Sequence, residues 1–114
     1  MKLLLTKQDR LKAHGIMDSI QLITGVDMDE IIKTNSRKRE VVMLRHLSIY
    51  LIHKNTQWSY QTLAEYIGLS NHTSVMHALK KINQWIELPH YYKNEYSLLT
   101  QIETHHGEKC KDSI

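Results

Sequence analysis

The sequence predicts an all-α fold, a small bundle of about five or six helices. Three observations lead there. The 114 residues hold only 4 Gly and 1 Pro, so few positions interrupt a helix. Leu, Ile, Met, Lys, Glu and Gln are common, and all but Ile are strong helix formers. Apolar residues also recur at intervals of three and four along most of the chain.

The elements follow in order. Thr6 to Ile23 reads as a helix with Leu11, Ile16, Ile20 and Ile23 near helical spacing, and Gly15 as a point where it could kink or divide. Gly25 closes it, since glycine takes the left-handed cap conformation at little cost. Asp27 can cap a short second helix, Met28 to about Lys33, tied to the core by Ile31 and Ile32. After the polar break Thr34-Asn35-Ser36, the segment Ser36 to Asn55 reads as the longest helix. Its broad face is Val41, Leu44, Leu47, Ser48, Leu51 and Ile52. Ser59 caps the next helix, which Gly68 ends after about two turns. Ser70-Asn71 starts another, with Val75, Ala78, Leu79, Ile82, Trp85 and Ile86 as its buried stripe, and Pro89 stops it. A last helix is expected from Tyr91 to about Thr104, with Tyr92, Leu98, Leu99 and Ile102 inward. The polar tail His105–Ile114 is expected to fray. The whole suits one domain over residues 1–114, with its core at about 16–104.

Composition narrows the function classes. Hydrophobic residues at 41% and charged residues at 24% fit a globular chain rather than a disordered one. A single cysteine, Cys110, rules out a disulfide framework within the chain. No apolar run approaches the roughly 20 residues that span a bilayer, and Met1–Leu5 is too short for a signal-peptide core. A cytoplasmic, nucleoid-associated location is expected, with no membrane partner. The formal net charge of +3 permits a nucleic-acid partner without requiring one.

The two helices Ser59–Ile67 and Asn71–Glu87, joined by a turn with glycine at the first helix's end, have helix-turn-helix spacing. In that motif the second helix enters the major groove of DNA and its N-terminal residues meet base edges. Here they are Asn71, His72, Thr73 and Ser74, all hydrogen-bonding groups. Asn can pair with adenine, a Thr methyl can touch a thymine methyl, and the helix N-terminus around Ser70 favours a phosphate oxygen. The structural alternative is that Asn71 is only a cap and His72 and Thr73 a solvated first turn. Between Lys33 and Lys54 the cations Lys33, Arg37, Lys38, Arg39, Arg45 and Lys54 face only Glu40, a cluster able to neutralise phosphates. A solvated charged face is its ordinary reading, although Arg45 beside an apolar stripe is an unusual place for a surface arginine.

The run Leu63-Ala64-Glu65-Tyr66-Ile67-Gly68-Leu69-Ser70-Asn71-His72-Thr73-Ser74-Val75-Met76-His77-Ala78-Leu79-Lys80-Lys81-Ile82 resembles the motif I-G-x-x-F-G-G-R-D-H-T-T-V-x-H-A-x-x-K-I. That motif belongs to the C-terminal DNA-binding domain of the bacterial replication initiator DnaA. Ser36-Arg37-Lys38-Arg39 through His46 resembles the family's basic loop and long helix, at matching spacing. Weaker similarity extends from about Asp18 to Thr104. The resemblance implies a Trp-repressor-like helix-turn-helix that binds double-stranded DNA in control of replication or transcription. It implies base reading by His72 and Thr73 and a minor-groove contact by Arg45. It also implies phosphate contacts by Ser74, Lys80, Lys81 and the Arg37, Lys38, Arg39 cluster. His77 could orient the helix or pack internally, and the structural role is favoured. The family's Arg-Asp before His is Ser70-Asn71 here, which removes a cation and replaces an acceptor for cytosine N4 by an amide suited to adenine. Its Gly-Gly is Gly68-Leu69. No G-x-x-x-x-G-K-[ST] run for a nucleotide phosphate occurs, so ATP-driven action is not implied, and a free-standing copy of the domain is expected.

No catalytic constellation stands out, and neither an enzyme nor a cofactor is expected. Of the 8 histidines, His105-His106 with Cys110 form the best metal cluster, on a tail that offers no rigid support. His72 and His77, five apart, miss the spacing of a helical zinc pair. The competing function is a protein-interaction module that keeps the fold without DNA binding, using Trp58, Trp85, Tyr91, Tyr92 and Tyr96. More often such aromatics complete a small core. RNA is a weaker alternative, for want of an aromatic strand motif.

Overall fold

The computed structural model describes residues 2–32, 38–69 and 71–112, with side chains described from residue 8 to residue 106 within those ranges. Among them are six helices and no strand: α1 (Lys2–Thr24), α2 (Met28–Ile31), α3 (Arg39–Asn55), α4 (Tyr60–Ile67), α5 (His72–Glu87) and α6 (Lys93–Asp112). The all-helical expectation holds.

Helix α3 is the centre of the bundle, packing on α5, α1, α4 and α2, while α6 lies mainly against α1. Its predicted face, Val41, Leu44, Leu47, Ser48, Leu51 and Ile52, is buried throughout, joined by Ile49. Leu44, Leu47, Ile52, Leu63 and Ile82 have no exposed surface. Each such side chain contributes about 1.5–3 kcal/mol relative to exposure. Ser48 is tolerated there because its hydroxyl donates to the Leu44 carbonyl at 2.7 Å. Asn55 and Thr56 end the helix by turning their side-chain donors back onto the carbonyls of Leu51 and Ile52.

Several expectations are corrected. Helix α1 runs uninterrupted through Gly15. Leu11 is 67% exposed, and Ala13 and Met17 join Ile16 and Ile20 in the core instead. Gly25 does close the helix, at φ +75°. Asp27 precedes α2, but its side chain makes no capping bond. The amide of Met28 donates instead to Oε1 of Gln21, reaching over from α1 at 3.0 Å. Among the described residues α3 starts at Arg39 and has 17 residues, fewer than the 23 of α1 and the 20 of α6. Ile86 is 38% exposed, because α5 is leaving the core there.

The chain from His105 to Asp112 continues α6, past the end expected near Thr104. His105 Nδ1 meets the buried Ser19 hydroxyl of α1 at 3.0 Å. Helix α1 is anchored at its other half by Asp9, which is buried and accepts the Gln57 amide through Oδ2 at 3.2 Å. These two links tie α1 to the α3–α4 connection and to α6.

Candidate nucleic-acid interface

Local turn chemistry sets the geometry of α4 and α5. Ser59 Oγ accepts the Thr62 amide at 3.1 Å and starts α4. Gly68 ends it at φ +91°, in the left-handed region that glycine enters without a Cβ penalty. The amides of Gly68 and Leu69 both donate to the Ala64 carbonyl, at 2.9 and 2.8 Å. Asn71 starts α5. Its Oδ1 accepts the amides of Thr73 and Ser74 at 3.0 and 3.4 Å. These bonds satisfy two amides that have no partner within the helix and set where its first turn begins.

Val75, Ala78, Ile82 and Trp85 of α5 face the core. The opposite face carries His72, Thr73, Met76, His77 and Lys80, all exposed, with Ser74 half-buried at the first turn. The predicted readers His72 and Thr73 therefore stand together at the free end of a buried-backed helix. Asn71 stands with them, but its Oδ1 is committed to the cap, so Nδ2 is the group it has left to offer. His77 is exposed rather than packed internally.

Between α3 and α5 lies an open groove of about 360 Å³ lined by His46, His77, Lys80, Lys81 and Gln84. No carboxylate is among these residues. Burial first, then the nearby charges of Arg45 and Lys81, hold the His46 imidazole below its ordinary value. Arg45 is held in turn: its Nε donates to the Ile31 carbonyl at 2.9 Å, tying α3 to the end of α2. Burial lowers the Arg45 pKa from its usual value. Lys38 and Arg39 are exposed at the start of α3, with Lys38 Nζ 4.0 Å from Glu30. Such an exposed pair is worth about 0–1 kcal/mol and yields readily to a stronger anion.

One predicted cation lies elsewhere. Lys54 Nζ donates to Glu103 Oε2 at 3.1 Å and sits 5.9 Å from the Tyr50 ring centre, at the end of α3 that faces α6. Its charge is already matched, and the hydrogen bond it donates to Glu103 holds its pKa above the ordinary value. Lys33, Arg37 and Ser70 lie outside the described residues.

The aromatic residues mostly fill the core. Trp85 is buried, Trp58 packs 5.3 Å from Tyr66, and Tyr92 and Tyr96 pack partly buried against the core, whereas Tyr91 is 79% exposed. Among the described residues no three His, Cys, Asp or Glu side chains gather as metal ligands, and the Cys110 side chain lies outside them. Among the described residues no helix is long and apolar enough to cross a membrane.

Sequence reasoning missed two residues of this region, His46 in the groove and Met76 on the outer face of α5. The signal for Met76 was available, four residues after His72 and three after Thr73.

Comparison with known proteins adds lineage to geometry. Residues 14–82 match the family described as the bacterial DnaA protein helix-turn-helix. The chain is 36% identical over 95 residues to the chromosomal replication initiator protein DnaA of Bacteroides fragilis, covering 82% of this chain and 19% of that protein. With the protein of the same name from Campylobacter fetus it shares 32% identity over 87 residues, 76% of this chain and 20% of that one. With that from Gloeothece citriformis it shares 40% over 55 residues, 48% and 12%. The chain thus spans about a fifth or less of the length of these relatives. No solved structure matches it.

Proposed function

The chain belongs to the bacterial DnaA helix-turn-helix family, and from that premise we propose that it binds double-stranded DNA sequence-specifically, in the control of replication initiation or transcription. Helix α5 enters the major groove, with His72 and Thr73 at base edges. Lys80, Lys81, Ser74, Lys38 and Arg39 meet phosphates, together with Arg37 and Ser70. Asn71 has only its Nδ2 group to offer a base, because its oxygen caps the helix. Arg45 keeps the assignment of a groove-directed cation, steadied by its bond to Ile31.

The observation that carries this function is the pairing of two features. A capped, exposed, polar helix start stands on the same helix as two lysines of a groove lined without carboxylates. Base edges need fixed donors and acceptors, and phosphates need uncompensated cations. A protein-docking surface built from the aromatics has less support, since most of them are packed inward.

The test is fluorescence anisotropy with random duplex DNA and with the DnaA box sequence at several salt concentrations. Affinity should fall steeply as salt rises. Thr73→Ala should weaken binding to the preferred sequence, by roughly 1–3 kcal/mol of discrimination if a base contact is lost. Lys80→Ala should weaken all sequences alike. Unchanged affinity in both variants would remove the interface, and absence of binding at low salt would remove DNA as the partner.

A further inference from the structure

Resting on DNA binding through α5, we propose that Met76 is a specificity-determining residue that reads the 5-methyl group of a thymine in the major groove. Met76 is 49% exposed on a helix whose apolar residues Val75 and Ala78 are wholly buried. Its exposure follows from its register. An α-helix turns about 100° per residue, so Met76 points between the directions of His72 and Thr73, one turn further along. Lys80 follows on the same face one turn later. Along that face, where His72, Thr73, His77 and Lys80 are all polar or charged, Met76 is the apolar side chain.

A single exposed methionine on a surface needs no explanation by itself. What sets this one apart is its neighbours. It occupies the centre of the face that the proposed function turns toward base edges. Its long unbranched thioether can adapt to the surface it meets. In the major groove the one apolar group that projects from a base pair is the thymine methyl, and the nitrogen and oxygen groups of the edges donate or accept hydrogen bonds. Met76 has no donor and only a weak acceptor. A thymine under Met76 would bury both groups, whereas any other base would lose solvation of a polar edge against the thioether.

Replacing thymine by deoxyuridine removes only that methyl, which makes the test direct. A preferred duplex is first selected from random sequence, and each thymine in it is then replaced singly. Binding is measured for the wild type, Met76→Ala, Met76→Leu and Thr73→Ser. One replacement should weaken wild-type binding about fourfold, the size expected for one apolar carbon taken out of water. The same replacement should cost Met76→Ala nothing measurable, while Met76→Leu keeps the penalty. Circular dichroism of each variant checks the fold, which a half-exposed position should leave intact. Two outcomes overturn the assignment while leaving DNA binding in place. One is an equal penalty in the wild type and Met76→Ala. The other is a penalty that disappears only in Thr73→Ser, which would give the methyl contact to the threonine. Loss of all DNA binding by the wild type would instead remove the function on which Met76 depends.

Discussion

Asn71 invites two opposite uses, as helix cap and as base reader, and its substitutions separate them. Its Oδ1 accepts two amides at 3.0 and 3.4 Å, and those amides have no partner within the helix. Asn71→Ala removes both bonds at an exposed position where water partly replaces them. The expected loss is about 1 kcal/mol of stability, which lowers Tm by roughly 4 °C in a chain of this size. Asn71→Asp and Asn71→Ser keep an acceptor at the same place and should stay close to the wild type. The aspartate could gain up to roughly 1 kcal/mol, as a negative charge at the positive end of the helix. Urea unfolding followed by circular dichroism reads all three. In a DNA titration, Asn71→Ala should lose affinity because its first turn, with His72 and Thr73, is no longer held. Asn71→Ser keeps the cap but has no Nδ2, so its affinity isolates any contact made by that amide. If Asn71→Ala were as stable as the wild type, or the aspartate and serine variants as unstable as the alanine, Oδ1 would not be what holds α5 together.

Other expectations follow from the charges. His46 has a folded-state pKa below its ordinary value, so the unfolded chain binds more protons as the pH falls through about 6.5. Stability should therefore decline from about that pH down to the folded-state pKa, and His46→Gln should flatten the decline in urea titrations at several pH values. A phosphate in the groove would favour the charged imidazole, so DNA affinity should rise over the same fall in pH and lose that rise in His46→Gln. Lys54→Ala should leave the salt dependence of DNA binding unchanged, because Lys54 is matched by Glu103; a shallower slope would return it to the interface.

The parts of the fold legible in the sequence are those set by local chemistry. Ser59, Gly68 and Asn71 stop or start helices by bonds to residues three or four positions away. The helix-turn-helix could therefore be read with its boundaries nearly right. Periodicity served where one face was dense with large side chains, as in α3. It misled in α1, where Leu11 lies five residues before Ile16 and so about 140° around the helix from it. The smaller Ala13 fits the stripe better. Bonds between distant segments left no local trace. Nothing near Asp27 announces that Gln21 will serve Met28, and nothing in a polar tail announces that His105 will meet Ser19, 86 positions earlier. The same holds for the site. His72 and Thr73 were legible because they sit at a predictable helix start. The departure of Lys54 depends on Glu103, 49 residues away. His46 joins the groove only because α3 packs on α5.

The modest net charge of +3 conceals an uneven distribution, and the unevenness links stability to function. At the end of α3 near α6, a lysine is answered by a glutamate at 3.1 Å. In the groove between α3 and α5, Lys80, Lys81, His46 and His77 come together without a carboxylate among them. Burial first, and then the charges of Arg45 and Lys81, make His46 harder to protonate, so part of the shift is repulsion that the folded chain tolerates. Local disagreement with the rules that stabilise a fold is concentrated where proteins act. Here an anion supplied from outside would relieve the repulsion, which is the role the proposed function gives to DNA phosphates beside the exposed start of α5.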